Sequence, residues 1–249
     1  MKAEVLKDSL RDEWQAMAAD WMVAMSSGHD DNRDGLLDGW MLDAIGDVEG
    51  LDVIDLGCGE GRFCRQLAER GAQVTGVDLC ASFVEFAQAH CVGHDFYVCG
   101  DIEDLSAFES AHFDLAISYL SLVDVPDFAA VVREASRVLR PGGRFVVCNM
   151  APMVTAGNSW VKDETGQKLH FKLDNYFDET ERMVHWRHYK WTNFHRTLAT
   201  YINAFLEQGF QLTGLREPIP TAAQIQQYPN LDDGLRVPLF VIYLLQKQA

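Results

Sequence analysis

The residues with the clearest chemical promise are a set of acids and glycines. The stretch VIDLGCGEGRF carries Asp55 followed by Gly57, Gly59 and Gly61, VTGVDL ends in Asp78, and CGDIED contains Asp101. Alternating glycines permit a tight turn and remove the Cβ atoms that would hold a ligand away from the backbone. An acid just before such a turn suits an ammonium group. Asp78 lies 21 residues after Gly57, where a carboxylate accepts a pair of ribose hydroxyls. Asp101 is placed to accept from an exocyclic adenine amine, although an aspartate in such a loop also serves as a turn former.

Two nucleoside ligands share a free ribose. A dinucleotide turn reads GxGxxG, its third glycine letting the helix pack close beneath the pyrophosphate. Here Arg62 stands at that position, which argues against NAD or FAD. Asp55 fits a ligand with an ammonium group at that spot, while the ribose position does not choose between NAD and adenosylmethionine.

Stepping outward, residues 51 to 150 alternate short β-branched runs with helical stretches. Strands are expected at 52–56, 73–77, 95–99, 113–118 and 143–149, and helices near 60–70, 81–91 and 127–139, the pattern of parallel βαβ units. LRPGG, at 139–143, ends the last of these helices. Upstream, residues 8 to 26 place Leu10, Trp14, Met17, Ala18, Trp21, Met22 and Met25 at helical spacing, and a second helix is expected from Asp34 to about Ile45. Downstream, 151–195 breaks the rhythm and is dense in aromatics, with MVHWRHYKW readable as one extended strand. A helix closing at Gly209 and strands near 210–215 and 238–245 complete the chain.

Taken in order, Asp55 to Gly61, Asp78, Gly100-Asp101, FDLAIS at 113–118 and LRPGG resemble the class I S-adenosylmethionine-dependent methyltransferases, over about residues 50 to 150. The resemblance implies a doubly wound α/β, Rossmann-like sheet of seven strands, order 3-2-1-4-5-7-6, with strand 7 antiparallel. It also implies a single domain divided into an N-terminal helical cap (1–48), a cofactor core (49–150), a substrate lid (151–195) and a C-terminal helix with edge strands (196–249). Carried onto these positions, the turn from Asp55 through Gly57, Cys58 and Gly59 to Gly61 would hold the methionine part. Asp78 and Leu79 would hold the ribose, Asp101 and Ile102 the adenine, and Ser118, Tyr119 and Leu120 would pass beside the sulfonium. Cys80 stands where the family commonly has serine.

Methyl transfer from a sulfonium needs an acceptor held in line, water excluded and, for a protonated acceptor, a base. The C-terminal FHRTLATYINAFLEQGFQLTGLREP is similar to the tail of family members that act on small molecules. The lid and the N-terminal helices are then the expected acceptor walls. Trp160, Tyr176, Phe177 and Trp186 are the candidate substrate contacts, and His195 and Tyr119 the candidate catalytic residues. Each aromatic also has a packing role open to it, and His195 a structural one at a helix start.

Composition sets the remaining bounds. At 249 residues, 48% hydrophobic and 23% charged, the chain can bury one sizeable core. A formal net charge of −16 and a pI near 4.8 oppose a phosphate-neutralising face, so neither a nucleic acid nor a membrane is the expected partner. Residues 1–50 hold four Lys or Arg against twelve Asp or Glu, whereas 160–196 hold seven against six. The six cysteines form no CxxC pair and no metal spacing and read as reduced thiols; no signal peptide or membrane span is evident. The expectation is a cytoplasmic monomer or homodimer that methylates an O or N atom of a small metabolite. A tRNA- or protein-directed methyltransferase and a non-catalytic adenosylmethionine-binding protein are the alternatives.

Overall fold

In the computed structural model, residues 2–28, 30–157 and 159–248 are described, apart from the side chains of Lys2, Ala3, Ser159 and Trp186. Among them, five apolar runs from the core become strands: β1 (Asp52–Leu56), β2 (Gln73–Asp78), β3 (Asp95–Cys99), β4 (Phe113–Tyr119) and β5 (Leu139–Met150). The chain returns to the same sheet at β10 (Phe210–Arg216) and β11 (Phe240–Lys247). The seven lie in the order β3-β2-β1-β4-β5-β11-β10, with β11 antiparallel to both its neighbours. This is the expected arrangement.

Both faces of the sheet are covered, which is why its strands read as nearly continuous apolar runs. On one face Met41 and Ile45 of α2 (Asp38–Ile45), Phe63 and Leu67 of α3 (Arg62–Ala68) and Val84 of α4 (Ala81–Ala89) pack against Val53, Leu115 and Val146. On the other, Phe128, Val131 and Ala135 of α5 (Phe128–Val138) join Tyr201 and Phe205 of α7 (Leu198–Glu207) over Ile54, Ala116 and Val147. The register aligns Asp55 with Gly76 and Ile117, and Asp78 with Cys99. The carboxyl ends of β1 to β4 therefore form one rim, the usual place for a ligand in an open α/β sheet.

Three local features depart from expectation. The N-terminal helix, α1, runs over Lys2–Ser26, and the segment ahead of α2 is a turn of π-helix, Arg33–Leu37. The LRPGG stretch belongs to β5: Leu139 already pairs with Phe113, and pairing resumes at Arg144 after a shift that Gly142, at φ 77°, absorbs. The insertion after β5 carries α6 (Pro152–Ala156) and two hairpins, β6 (Ser159–Lys162) with β7 (Lys168–Lys172) and β8 (Glu181–Trp186) with β9 (Tyr189–Phe194). MVHWRHYKW is thus two strands joined at Arg187, whose φ is 55°. Alternation of side chains is the same along one strand as along two folded back, so the turn is invisible to periodicity. A helix α8 (Ala222–Gln227) and a 3₁₀ turn (Pro229–Leu235) lead into β11. No described helix is long and apolar enough to cross a membrane.

Candidate active site

A cavity opens at the rim of β1 to β4 and runs beneath α1. Its floor is the turn after β1. Gly57, Gly59 and Gly61 all have positive φ, at 82°, 57° and 81°, but they answer different needs. A Cβ on Gly57 would sit 2.4 Å from the Ser121 side chain, and one on Gly61 2.7 Å from the Tyr97 ring. A Cβ on Gly59 would meet nothing within 4 Å. Gly57 and Gly59 line the cavity, whereas Gly61 serves the packing of the turn on β3 and is not part of the lining.

The acids divide in the same way. Asp55 is buried at 2% exposure; its Oδ2 accepts from the Cys64 thiol at 3.3 Å, and its Oδ1 has no hydrogen-bond partner among the described residues. Burial pushes its carboxyl up to about 7, helped by the nearby Asp78 and Glu60. Asp78 accepts from the Gly59 and Cys80 amides at 2.8 and 2.9 Å, and burial raises it to about 6 in spite of those bonds. Each of its oxygens thus carries one backbone donor and keeps acceptor capacity toward the cavity. Asp101 differs: Oδ1 accepts from the Glu103 amide, and Oδ2 is paired with the Lys7 ammonium at 2.6 Å. Lys7 also reaches Glu103 at 2.5 Å, so α1 is tied down across this end of the cavity.

The opposite end is built by residues far apart in sequence. Trp14, Trp21 and Met25 of α1, Arg33 of the π turn, Tyr119 at the end of β4 and Asp124 of the 3₁₀ turn Leu122–Asp124 all line it. Trp14 and Trp21 meet edge to face at 5.5 Å, and Arg33 lies 5.8 Å above Trp21 and 5.7 Å above Tyr119. Arg33 is paired with Asp30, and Arg62 with Asp38 at 2.5 Å, holding Asp38 below the carboxylate range although burial works against it. The Tyr119 hydroxyl donates to Asp38 at 2.9 Å. Leu120 takes φ 61°, unusual for a branched residue, and this turns the chain down along the cavity wall with its amide on Cys148.

Most of the cofactor positions expected from sequence come together here: Asp55, Gly57, Cys58, Gly59, Asp78, Leu79, Asp101, Ile102, Tyr119 and Leu120 line the cavity. Ser118 does not; it is fully buried, and its hydroxyl bonds Ser121, which in turn holds the Leu56 carbonyl. Of the substrate candidates from the insertion, Trp160, Tyr176 and Phe177 do not line the cavity either. Trp160 donates to Asp233 and lies under Arg236, while the Tyr176 hydroxyl accepts from the Leu198 amide. Phe177 is 89% exposed, and the Trp186 side chain lies outside the described residues. His195 is buried at 1% exposure with Nδ1 on the Thr155 hydroxyl at 2.7 Å and Nε2 on the Tyr176 carbonyl at 2.9 Å. Both ring nitrogens are engaged away from the cavity, so His195 has the structural place, not that of a base.

The insertion acts from outside. Thr192 of β9 donates to Glu13 of α1, and Tyr189 to Asp20, so the second hairpin braces α1. What the sequence reading missed is Asp124. It lines the cavity and is held by Asn193 and Trp191 of β9, and burial pushes its carboxyl up to about 8. An acid five residues past a strand end gives no signal by itself.

Comparison with known proteins agrees with this architecture. A family model described as a methyltransferase domain matches residues 54–147. A solved S-adenosylmethionine-dependent methyltransferase from Mesorhizobium loti is 33% identical, with a TM-score of 0.74, covering 82% of this chain and 94% of that one. A Listeria monocytogenes structure described as the same kind of enzyme is 32% identical, with a TM-score of 0.75, covering 83% and 94%. The chain belongs to the S-adenosylmethionine-dependent methyltransferases. It is an enzyme, and S-adenosylmethionine is its cofactor. A ubiquinone biosynthesis O-methyltransferase from Xanthomonas oryzae is 35% identical over 107 residues, but the match covers only 42% of this chain and 45% of the relative.

Proposed function

We propose that this enzyme transfers the methyl group to an O or N atom of a small molecule held between α1, the π turn and Tyr119. The observation that supports this most directly is the roof: Trp14, Trp21 and Met25 of α1 close over the rim where a polymer substrate would need an open, basic groove. The acidic balance of the chain points the same way.

The residues fit the cofactor in a definite direction. The partnerless Oδ1 of Asp55 supports an ammonium group at the turn after β1, and the free capacity of Asp78 supports the ribose hydroxyls. Ile102 and Leu79 would flank the adenine, with Asp101, already tied to Lys7, at its edge. When bound, S-adenosylmethionine supplies an electrophilic methyl carbon on a sulfonium. The chain has to hold the acceptor atom in line with it and keep water away, which the aromatic walls favour.

Calorimetric titration with S-adenosylmethionine, S-adenosylhomocysteine and NAD tests the cofactor geometry. Micromolar binding of the first two and none of NAD is expected. Methyl transfer should then be found among small phenols and amines; transfer to tRNA or protein alone would overturn the acceptor reading.

A further inference from the structure

Among the described residues, the acceptor end of the cavity has one ionisable group, Asp124, that lines it without a saturating ion pair. Asp30 neutralises Arg33, Arg62 neutralises Asp38, and Asp38 takes up the Tyr119 hydroxyl. Asp124 is held instead by neutral donors, the Asn193 amide and the Trp191 indole. These donors fix its carboxyl on the cavity wall, and Trp191 packs on Trp14 at 5.8 Å, linking the acid directly to the aromatic walls. Behind it, Arg196 donates to the carbonyls of Leu122 and Pro126, immobilising the turn that carries it.

We infer that Asp124 is the catalytic residue that takes the acceptor's proton, and that the acceptor is a flat aromatic hydroxyl seated between Trp14, Trp21 and Tyr119. The inference rests on the small-molecule reading above and narrows it. As a hydroxyl oxygen attacks the methyl carbon, the carbon–sulfur bond breaks with its electron pair going to sulfur. The O–H proton passes to the Asp124 carboxylate. The products are a methyl ether, S-adenosylhomocysteine and a neutral Asp124, which then returns its proton to solvent.

The need for a base favours oxygen over nitrogen as the acceptor. A hydroxyl must give up its proton as it attacks, and Asp124 on the cavity wall is placed to take it, whereas a neutral amine attacks through its lone pair without a base. The acidity also matches. A base near 8 is within reach of a phenol, whose ordinary pKa is about 10, but remote from an aliphatic alcohol. The groups that set its titration are Arg33, which favours the ionised form, and Asp78, which opposes it, with Asn193 and Trp191 as hydrogen-bond donors. Arg196 behind it and Glu13 of α1, bound to Thr192, are the other charges packed around this corner.

Wild type, Asp124→Asn and Asp124→Ser, loaded with S-adenosylmethionine, are to be given catechol, phenol and benzylamine. The expected result is a methyl ether from the phenols in preference to methylation of benzylamine. Both variants should lose about a hundredfold or more in kcat, with S-adenosylhomocysteine affinity within twofold of wild type. Wild-type kcat/KM should rise with pH and level off near 8, and that limb should be absent in the variants. Independently of turnover, the ¹³C resonance of the Asp124 carboxyl in the S-adenosylhomocysteine complex should titrate near 8 and move on addition of catechol.

A variant rate within threefold of wild type, a preference for benzylamine, or a carboxyl already ionised at pH 5 and unmoved by catechol would each overturn the inference. Failure of the small-molecule reading looks different: wild type would methylate tRNA or protein and bind no catechol, and this inference would fall with it.

Discussion

The two ends of the cavity are made in different ways. The cofactor end is assembled from strand ends and the turns that follow them, so its two buried acids are fixed by the hydrogen-bond ladder of the sheet: Asp55 by pairing with Gly76 and Ile117, Asp78 by pairing with Cys99. The acceptor end is assembled from a helix, a π turn, a 3₁₀ turn and a hairpin brought together by side-chain packing. The first is rigid by construction. The second can be rebuilt without disturbing the sheet, which is what a scaffold serving different acceptors needs.

The glycines of the first turn provide the sharpest way to break this comparison. Gly61→Ala forces a Cβ to within 2.7 Å of Tyr97 at a left-handed backbone position. The strain of that backbone alone costs about 1–2 kcal/mol, and the clash adds to it. Gly59→Ala carries the same backbone cost but points into open space. Thermal unfolding should show the larger loss of Tm for Gly61→Ala. Titration with S-adenosylhomocysteine should show the larger loss of affinity, relative to its change in Tm, for Gly59→Ala. Equal ratios for the two variants would mean that the turn acts as one packing unit and not as a cradle.

Asp78→Ala tests the same end by charge. Loss of hydrogen bonds to an ionised group costs about 1.5–3 kcal/mol, or roughly 10- to 150-fold in affinity. The fold should persist, since the sheet ladder is untouched and the protein-side bonds lost are two turn amides, those of Gly59 and Cys80. Unchanged affinity in a folded variant would show that the ribose lies elsewhere.

His195→Asn addresses the other end. The buried imidazole bridges Thr155 and the Tyr176 carbonyl, so the substitution leaves a buried group unpaired and should lower stability by about 1–3 kcal/mol. Because His195 does not line the cavity, kcat and its pH profile should stay as in wild type. A selective loss of the basic limb of that profile would return His195 to the chemistry.

The same contrast explains what could be read from sequence. The sheet and the cofactor end are written in local patterns: alternating strand and helix periods, glycines at fixed spacing, acids at strand ends. The acceptor end draws on Trp14, Arg33, Asp124 and Trp191, which lie in four separate elements and are individually ordinary. Periodicity identifies the apolar face of α1 but not what that face covers. The aromatic density of 151–195 points to an active-site lid, yet Trp160 packs on Phe171 and Arg236 and Phe177 is exposed, while Trp191 reaches the acceptor end through Trp14 and Asp124. Composition registers the presence of aromatic rings and has no term for the surface they meet. Asp124 was silent because its environment, not its neighbours in sequence, gives it reactivity.

The most diagnostic effect expected is a pair of opposite pH dependences. In the cofactor-free protein burial raises the carboxyls of Asp78 to about 6, Asp55 to about 7 and Asp124 to about 8, above the unfolded value of 3.8. The folded state then holds more protons than the unfolded one between pH 4 and 8. The stability these groups contribute is complete below the unfolded value and is lost as pH rises through the folded values, so Tm should fall across this window. Binding an ammonium group at Asp55 and hydroxyl donors at Asp78 favours the ionised carboxylates. Affinity for S-adenosylhomocysteine should therefore rise from pH 5.5 to 7.5, by up to about tenfold per unit for each group below its free-protein value, and level off above. Protons should be released on binding, visible as a dependence of calorimetric heat on buffer ionisation enthalpy. The rise should vanish in Asp78→Asn only in its lower part, near 6, leaving the step near 7 to Asp55. If the affinity is flat with pH while the stability is not, the acids at the strand ends are buried for the sake of the fold, and the cofactor end is no more specialised for its ligand than the acceptor end.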